Sequence, residues 1–228
     1  MITICIHVED LKVSCKSKEL LEEVVEQLRN AYGEITVHYG DEHDYLGMVL
    51  SYNPQQKTVT LNMKKYIEDM MGQFEQENAD EIKIVKTPAN NNLFQTRKTT
   101  ESMMLSKHQS MQFHSNGAKM LFLAKRGRPD ILLADSFLTT RVKALNTDDR
   151  KKLLRVLGYL KGTIDLDLTI TCKDLSVLNW YIDGSYAVHE EMKGHSGSVL
   201  MIGDNVVLSR SNKQKINTGS SAEAELIG

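Results

Sequence analysis

Apolar residues recur along much of the chain at the spacing of amphipathic helices. Between Leu21 and Leu28 they occupy positions i, i+3, i+4 and i+7, which predicts a helix that Ser17 caps and Gly33 ends. Similar patterns predict further helices at 63–74, 107–124, 131–138, 150–162 and from Ser220 onward. We expect Asp130 to cap the fourth of these six helices, and Asp148 or Asp149 to precede the fifth.

Runs rich in β-branched and aromatic residues predict strands between the helices. Residues 1–15 predict a hairpin with His7-Val8-Glu9-Asp10 at its tip. The other predicted strands are 35–39, 45–52, 58–63, 166–171, 175–183, 196–202 and 206–211. Asn53-Pro54 and Gly203-Asp204-Asn205 are typical turn sequences. The most polar stretch, 75–105, is predicted to connect two subdomains. Strands and helices in separate runs indicate an α+β fold.

The composition is that of a globular protein. Of the 228 residues 41% are hydrophobic, and the formal charge is −2, so binding to nucleic acid would have to rest on local basic patches. Cys5, Cys15 and Cys172 lie far apart and form no Cys-x-x-Cys pair, which argues against a zinc knuckle or a disulfide framework. We find no signal peptide and no apolar run approaching ~18 residues. We therefore expect a cytoplasmic or nuclear protein with no membrane partner.

One candidate site lies where an apolar run meets a carboxylate. Residues 175–182 predict a buried strand that ends at Asp183, and Gly184-Ser185 would let the chain turn. A carboxylate at a rigid strand end suits a hard cation such as Mg²⁺, which prefers oxygen ligands. Asp-Gly after a strand is also a common hairpin turn, so both interpretations stand at this point.

A second candidate lies in the last predicted helix. Ser220 and Glu223 fit a Ser-x-x-Glu capping box, which assigns Glu223 a structural role and leaves Glu225 without one. If this helix packs on the sheet that carries Asp183, the two carboxylates would begin a two-metal site. A third candidate, the adjacent pair Glu9-Asp10, could bind a metal that carries a nucleoside triphosphate, or could be a solvated turn.

Other polar clusters have competing interpretations. His189-Glu190-Glu191 does not complete a His-Glu-x-x-His zinc motif, because position 193 is Lys. Residues 41–44 suit a solvated loop better than a metal site. Three basic clusters could bind phosphates or could simply be helix ends and exposed turns. Their cationic residues are Arg126 and Arg128; Arg150, Lys151 and Lys152; and Arg210, Lys213 and Lys215.

Taken in order, these segments resemble the polyprotein of copia-type retrotransposons, from the reverse transcriptase palm into ribonuclease H. The resemblance covers nearly the whole chain. It is carried, in this order, by HVEDL, YLGM, KKYI, TP, GAKMLFLAKRGRPDI, LLRVLGYLKGT, YIDGS, GHSGSV and SSAEAEL.

The resemblance implies three parts. Residues 1–75 would be the C-terminal part of the palm with the start of the thumb, and 76–172 a helical thumb or connection region. Residues 173–228 would be the N-terminal part of a ribonuclease H-like domain, a truncated mixed sheet with a helix. The activity implied is that of an RNA-directed DNA polymerase with ribonuclease H, acting on primer–template nucleic acid and RNA–DNA hybrids.

The resemblance also implies residue roles. Asp10 matches the second Asp of the polymerase box, and Glu9 stands where the family has the first. Asp183 and Glu225 match the first two ribonuclease H carboxylates. In the family such carboxylates hold Mg²⁺, or Mn²⁺ in its place, so Asp10, Asp183 and Glu225 would be metal ligands. Tyr45-Leu46-Gly47-Met48 matches a segment that helps to hold the primer end.

The departures from the family are informative. Glu9 adds a methylene to a metal ligand although Mg²⁺ geometry is strict, and His7 replaces a frequent Tyr. The family's other metal-binding carboxylates lie in segments outside this sequence, so we expect both sites to be incomplete, with no independent catalysis and with apolar surface left uncovered in the last part. The alternatives are a non-catalytic nucleic-acid-binding module and an enzyme completed in trans by the rest of the polyprotein.

Overall fold

The structure, a computed structural model, describes residues 1–78, 80–97, 100, 103–171 and 175–228. Cys172 lies outside these residues. The described part is an α+β fold with six α-helices and three small sheets. The mixed character predicted from the pattern is therefore confirmed. Within the described part, no helix is both long and apolar enough to cross a membrane.

The N-terminal hairpin and the helix after it form as predicted. Strands β1 (Ile2–His7) and β2 (Asp10–Cys15) pair antiparallel, so that Val8 and Glu9 make the turn. Helix α1 (Lys18–Tyr32) follows, with the Ser17 hydroxyl accepting a hydrogen bond from the backbone N–H of Leu20. Gly33 ends the helix at φ +84°, a conformation that glycine adopts without strain.

A four-stranded antiparallel sheet comes next. It contains β3 (Glu42–Tyr45), β4 (Met48–Asn53), β5 (Thr58–Asn62) and β6 (Leu168–Thr171), in that order. Because β6 pairs with β5, the end of the second predicted domain lies in the sheet of the first. The three-part division itself stays a prediction.

Two strand predictions in this region are wrong. Residues 35–39 form no strand, since their backbone joins none of the described sheets. Residues 45–52 are not one strand, because Leu46 and Gly47 both have positive φ, at +51° and +73°. Two such residues make the tight turn of a hairpin. Its first strand, β3, occupies Glu42–Tyr45, so the loop predicted for 41–44 is also wrong.

The apolar core lies among the central helices. Helices α2 (Lys64–Glu77), α3 (Lys107–Ala124), α4 (Leu132–Thr140) and α5 (Thr147–Gly162) surround it. Met48 and Leu50 join it from one face of β4. Its most deeply buried members include Phe113, Met120, Leu123, Leu138 and Leu157.

The starts of two of these helices differ from prediction. Asp130 does not cap α4; it accepts hydrogen bonds from Arg128 in the 3₁₀ turn Pro129–Ile131, which leads into the helix. Helix α5 is capped by Asn146, whose side chain accepts from the N–H groups of both Asp148 and Asp149. These two acids therefore lie in the first helical turn rather than before it.

The last 51 positions, 178–228, hold the third sheet and a final helix. Strands β7 (Leu178–Ser185), β8 (Lys193–Ile202) and β9 (Asn205–Asn217) pair antiparallel in that order, and α6 (Ser221–Ile227) packs on β7. The prediction of a buried strand that turns after Asp183 is wrong. The strand continues to Ser185, with Asp183 opposite Gly197, and Trp180 is 58% exposed. Only β8 flanks β7 among the described strands, which leaves apolar side chains uncovered.

Candidate functional site

Helix α6 begins with a local cap that uses Glu223. The Ser220 hydroxyl accepts a hydrogen bond from the N–H of Glu223 at 3.2 Å. The Glu223 carboxylate accepts from the N–H of Gly219 at 2.7 Å, one residue earlier than a standard capping box requires. The prediction that Glu223 has a structural role is thus consistent with these bonds, and Glu225 is not part of the cap.

Glu225 instead contacts the strand that carries Asp183. Its Oε2 atom accepts a hydrogen bond from the backbone N–H of Gly184 at 3.0 Å. Gly184 directly follows Asp183, so the fold brings Glu225 to the strand segment that carries Asp183, although 41 residues separate Gly184 from Glu225. Both acids are exposed, which leaves them accessible from solvent.

The close approach of α6 to β7 depends on glycine at position 184. A Cβ atom there would lie 2.6 Å from the carbonyl oxygen of Ala224 and 3.2 Å from the Cα of Glu225. Contacts this short to backbone atoms are not tolerated. Ala224 is fully buried against the strand, and a larger residue there would also hold the helix away. Two small residues therefore set the position of Glu225.

Gln214 on β9 contacts the same helix at the Ala224 carbonyl. Its Nε2 donates to the Ser196 hydroxyl at 3.0 Å and to the Ala224 carbonyl at 2.9 Å, and the side chain is buried. Sequence reasoning missed this residue. A glutamine between Lys213 and Lys215 has the local pattern of an exposed strand, and nothing in the sequence near it indicates a buried bridge.

The site offers carboxylate oxygens at the edge strand of the third sheet. Asp183 and Glu225 are the right donor type for Mg²⁺ or Mn²⁺, and Glu225 retains Oε1 when Oε2 accepts from Gly184. The described residues contain no group of three or more His, Cys, Asp or Glu side chains that could hold a metal ion. The donor set thus fits the metal in type but supplies only part of a coordination sphere.

Glu9 and Asp10 belong to a hairpin that is separate from the sheet that carries Asp183. Both are exposed at the tip of the β1–β2 hairpin. Their neighbour Val8 has φ +52°, a conformation that is strained for a β-branched residue. The hairpin is linked to the adjacent sheet by Lys12, whose ammonium lies 4.9 Å from the centre of the Tyr52 ring.

Two arginines of the predicted basic clusters have internal partners. Arg128 is only 1% exposed; it forms an ion pair with Asp130 and donates to the carbonyl and hydroxyl of Thr163. Arg150 is buried and bonds to Asp80, with its Nε 2.8 Å from the carboxylate. These bonds hold separate segments together. Phosphate binding by Arg128 and Arg150 stays a prediction. A phosphate would have to compete with these internal partners for the two guanidinium groups.

The remaining cations of the clusters are more accessible. Lys151, Arg210 and Lys215 are exposed. Of these, Lys151 lies 3.9 Å from the Asp148 carboxylate. The less exposed cations also have partners: the Arg126 guanidinium stacks on Phe122, Lys152 donates to the carbonyl of Gln95, and Lys213 pairs with Glu191 at 2.9 Å.

A buried histidine pair was also missed by sequence reasoning. Nε2 of His189 lies 3.1 Å from Nδ1 of His195, and Nε2 of His195 lies 2.7 Å from the Ser211 hydroxyl. The rings of Phe94 and Phe137 pack against this pair. Burial lowers the pKa of both histidines to about 4, with Lys213 adding to the effect at His189. The pair is therefore neutral near pH 7. The loop between β7 and β8 brings His189 back to His195 at the start of β8.

Comparison with known proteins finds similarity to a transposon protein. The chain is 26% identical over 230 residues to the Saccharomyces cerevisiae protein described as "Putative transposon Ty5-1 protein YCL074W", covering 99% of this chain and 71% of that protein. No protein-family profile matches the chain. No solved structure matches it either. The similarity extends over almost every described element and supports a retrotransposon-related origin for the chain.

Proposed function

We propose that this chain is part of a retrotransposon reverse transcriptase–ribonuclease H polyprotein, with Asp183 and Glu225 as metal ligands of a ribonuclease H-like unit. The observation that carries the proposal is the hydrogen bond from the Gly184 N–H to Glu225. It holds the Glu225 carboxylate against the backbone of the residue that follows Asp183, so that one short segment of β7 positions both acids. The similarity to a transposon protein over 99% of this chain supports the retrotransposon part of the proposal.

The two carboxylates would bind Mg²⁺, or Mn²⁺ in its place. In a two-metal hydrolase the cations activate water and stabilise the leaving oxygen, here on the RNA strand of an RNA–DNA hybrid. The Gly184 N–H orients Glu225, and packing of Ala224 limits movement of the helix. With two carboxylates in place among the described residues, we expect weak metal binding and no hybrid cleavage by this chain alone. Carboxylates supplied by the rest of the polyprotein would complete the site.

The N-terminal part would be related to a polymerase palm. Glu9 and Asp10 would then be the degenerate polymerase box, with Asp10 as a metal ligand. The positive φ of Val8 supports a functional turn, since strained residues concentrate at such sites. The Tyr45–Met48 turn would lie near the primer end, with residues 76–172 as the thumb or connection region.

Metal binding tests the carboxylate site directly. We would titrate the protein with Mn²⁺ and measure free ion by its electron paramagnetic resonance signal. Asp183→Asn and Glu225→Gln should each weaken Mn²⁺ affinity by about tenfold, a loss of about 1.4 kcal/mol. Asp204→Asn, an exposed acid in the turn of the same sheet, is the matched control and should leave affinity unchanged. Equal losses in all three variants, or no loss in the first two, would refute the site.

A cleavage assay tests completeness separately. With an RNA–DNA hybrid and Mg²⁺ or Mn²⁺, we expect no cleavage by this chain. Strong cleavage that Asp183→Asn abolishes would confirm the ligand and overturn the claim that the site is incomplete. Adding the remaining polyprotein segments should produce cleavage that depends on Asp183.

A second candidate is a non-catalytic nucleic-acid-binding module. The exposure of Lys151, Arg210 and Lys215 favours it, because exposed cations can pair with phosphates. Affinity for hybrid, duplex or single strands should fall steeply with salt. Replacing Arg210 and Lys215 by Gln should lower the slope of log affinity against log salt by about 0.9 per lost phosphate contact. Binding with no salt dependence would eliminate this candidate.

A further inference from the structure

A cavity of about 430 Å³ lies between helix α5 and the loop 88–97. One side is the face of α5 that carries Lys151, Lys152 and Arg155, and the other is the loop with Arg97. Pro88 and Leu93 add apolar surface. A volume of this size falls within the range of small-ligand sites, about 300–1,000 Å³.

The cationic lining comes from the helical period. Asp148, Lys151, Lys152 and Arg155 occupy positions i, i+3, i+4 and i+7 of α5, so they share one face. Lys151 and Lys152 lie four and three residues before Arg155, and like charges at these spacings repel each other and destabilise a helix. An anion in the cavity would relieve this repulsion. The sequence shows the spacing, but only the fold shows that a loop lies across this face.

Hydrogen bonds hold the loop over the helix. Arg155 donates to the Thr87 hydroxyl at 2.8 Å, and Lys152 donates to the Gln95 carbonyl at 2.6 Å. Arg97 forms two hydrogen bonds with the Asp148 carboxylate, one of them at 2.6 Å. These hydrogen bonds fix both ends of the loop to α5, and the cavity lies between the loop and the helix.

The charges that line the cavity do not balance. The described lining residues include four cations, Arg97, Lys151, Lys152 and Arg155, and one acid, Asp148. Arg97 pairs with Asp148, and the Lys151 ammonium lies 3.9 Å from the same carboxylate, so one acid is shared by two cations and the excess positive charge lies on the α5 face. Nε of Arg155 is buried and has no hydrogen-bond partner among the described residues. An unpaired buried donor is costly, and a ligand oxygen could satisfy it.

We propose that this cavity binds a phosphate group on a ligand the size of a mononucleotide. Lys151 and Arg155 would bind phosphate oxygens through charge-assisted hydrogen bonds, and Pro88 and Leu93 would contact the less polar part of the ligand. Two sources share this chemistry: a free nucleotide or pyrophosphate, and the 5′-phosphate end of a nucleic acid strand. The phosphate site includes neither Asp183 nor Glu225. Its test is therefore independent of the proposed metal site.

The test uses two probes with the full chain. Pyrophosphate binding would be measured by calorimetry up to about 10 mM, where even millimolar affinity gives saturation. A fluorescent oligonucleotide would be compared with and without its 5′-phosphate. Saturation by pyrophosphate supports a free phosphate ligand. At least tenfold tighter binding of the 5′-phosphorylated strand, with competition by pyrophosphate, supports a strand end.

Three variants and one control locate the binding. Lys151→Gln and Arg155→Gln should each weaken binding of the phosphate probe about tenfold. This is the effect of losing one charge-assisted hydrogen bond. Asp148→Asn should tighten it, because Arg97 loses its partner and becomes available. Lys65→Gln, an exposed lysine on α2, should change it less than about twofold. Because Lys151 is exposed, its replacement leaves the fold intact even if Arg155→Gln does not.

Two results would overturn the proposal. One is the absence of saturable pyrophosphate binding together with equal affinity for the phosphorylated and unphosphorylated strands. The other is an equal loss in Lys65→Gln and Lys151→Gln, which would mean that net charge alone governs binding.

Discussion

The central helices and the C-terminal sheet are stabilised in different ways. The core between Met48 and Leu160 is a continuous apolar cluster in which Leu157 and many neighbours are completely buried. Among the described residues of the C-terminal unit, 178–228, Ala224 is the only apolar residue whose side chain is buried. Glycine packing, the Gln214 bridge and the histidine pair hold this unit together. The candidate metal ligands lie in the second region, where position depends on a few specific contacts.

The two regions meet through polar and aromatic contacts. The Ser136 hydroxyl on α4 donates to the Ser211 carbonyl on β9 at 2.6 Å, and Lys125 donates to the Ser209 carbonyl. The Phe137 ring stacks on His189. The histidine pair therefore lies at the junction between the two regions.

The largest expected difference between the regions is the response to a shortened side chain. Leu157→Ala should lower the free energy of unfolding by about 3–4 kcal/mol, because it leaves a cavity in a closed core. Leu178→Ala, at an exposed position on β7, should cost less than about 1 kcal/mol. Denaturant unfolding monitored by circular dichroism measures both. Similar losses would show that the sheet has a core as well packed as the helices.

Acid should destabilise the C-terminal side specifically. In the unfolded chain His189 and His195 bind protons near pH 6.5, whereas in the folded protein their pKa is about 4. The unfolded state thus binds more protons between these values, so their stabilising effect is full above about pH 6.5 and falls as pH drops towards 4. We expect a loss of about 2–3 kcal/mol for the coupled pair. The double variant His189→Gln/His195→Gln should flatten this pH dependence; an unchanged slope would assign it to other groups.

Helix position should be sensitive to a single methyl group. Gly184→Ala should cost about 2 kcal/mol and displace α6, since the new Cβ would lie 2.6 Å from the Ala224 carbonyl oxygen. Gly197→Ala is the control in the same sheet, because no atom lies within 4 Å of its Cβ position. Hydrogen exchange at the Gly184 amide, protected by Glu225, reports the displacement. Unchanged protection in Gly184→Ala would mean that α6 does not depend on this contact.

The smallest expected effect concerns a buried carboxyl group within the helical region. Asp135 on α4 is fully buried, and burial raises the pKa of its carboxyl group to about 7. The folded protein retains this proton while the unfolded chain loses it near pH 3.8, so stability falls as pH rises between these values. Asp135→Asn should therefore raise the free energy of unfolding by about 1–2 kcal/mol near pH 8 and have little effect near pH 4. A destabilising effect at pH 8 would indicate that the ionised carboxylate is needed.

Local pattern was sufficient for the helices and for part of the candidate site. The period of apolar residues located α1, α2 and α3, and the caps at Ser17 and Ser220 were correct because capping depends on residues within a few positions. The same reasoning separated Glu225 from the capping role of Glu223. Strand predictions were less accurate, since the Tyr45–Met48 turn depends on backbone conformation that alternating patterns do not reveal.

Residue type and helical period identify the carboxylates, cations and helical faces of this protein, and both can be read directly from the chain. Which of these groups meet depends on the tertiary structure. The Gly184–Glu225 bond spans 41 residues and the His195–Ser211 bond spans 16, and both depend on strand register and on how closely a helix can approach a sheet. Likewise, the fold buries Arg128 and Arg150 in ion pairs but leaves Lys151 beside a cavity. Desolvation and packing distinguish such residues, and neither is a local property of the chain.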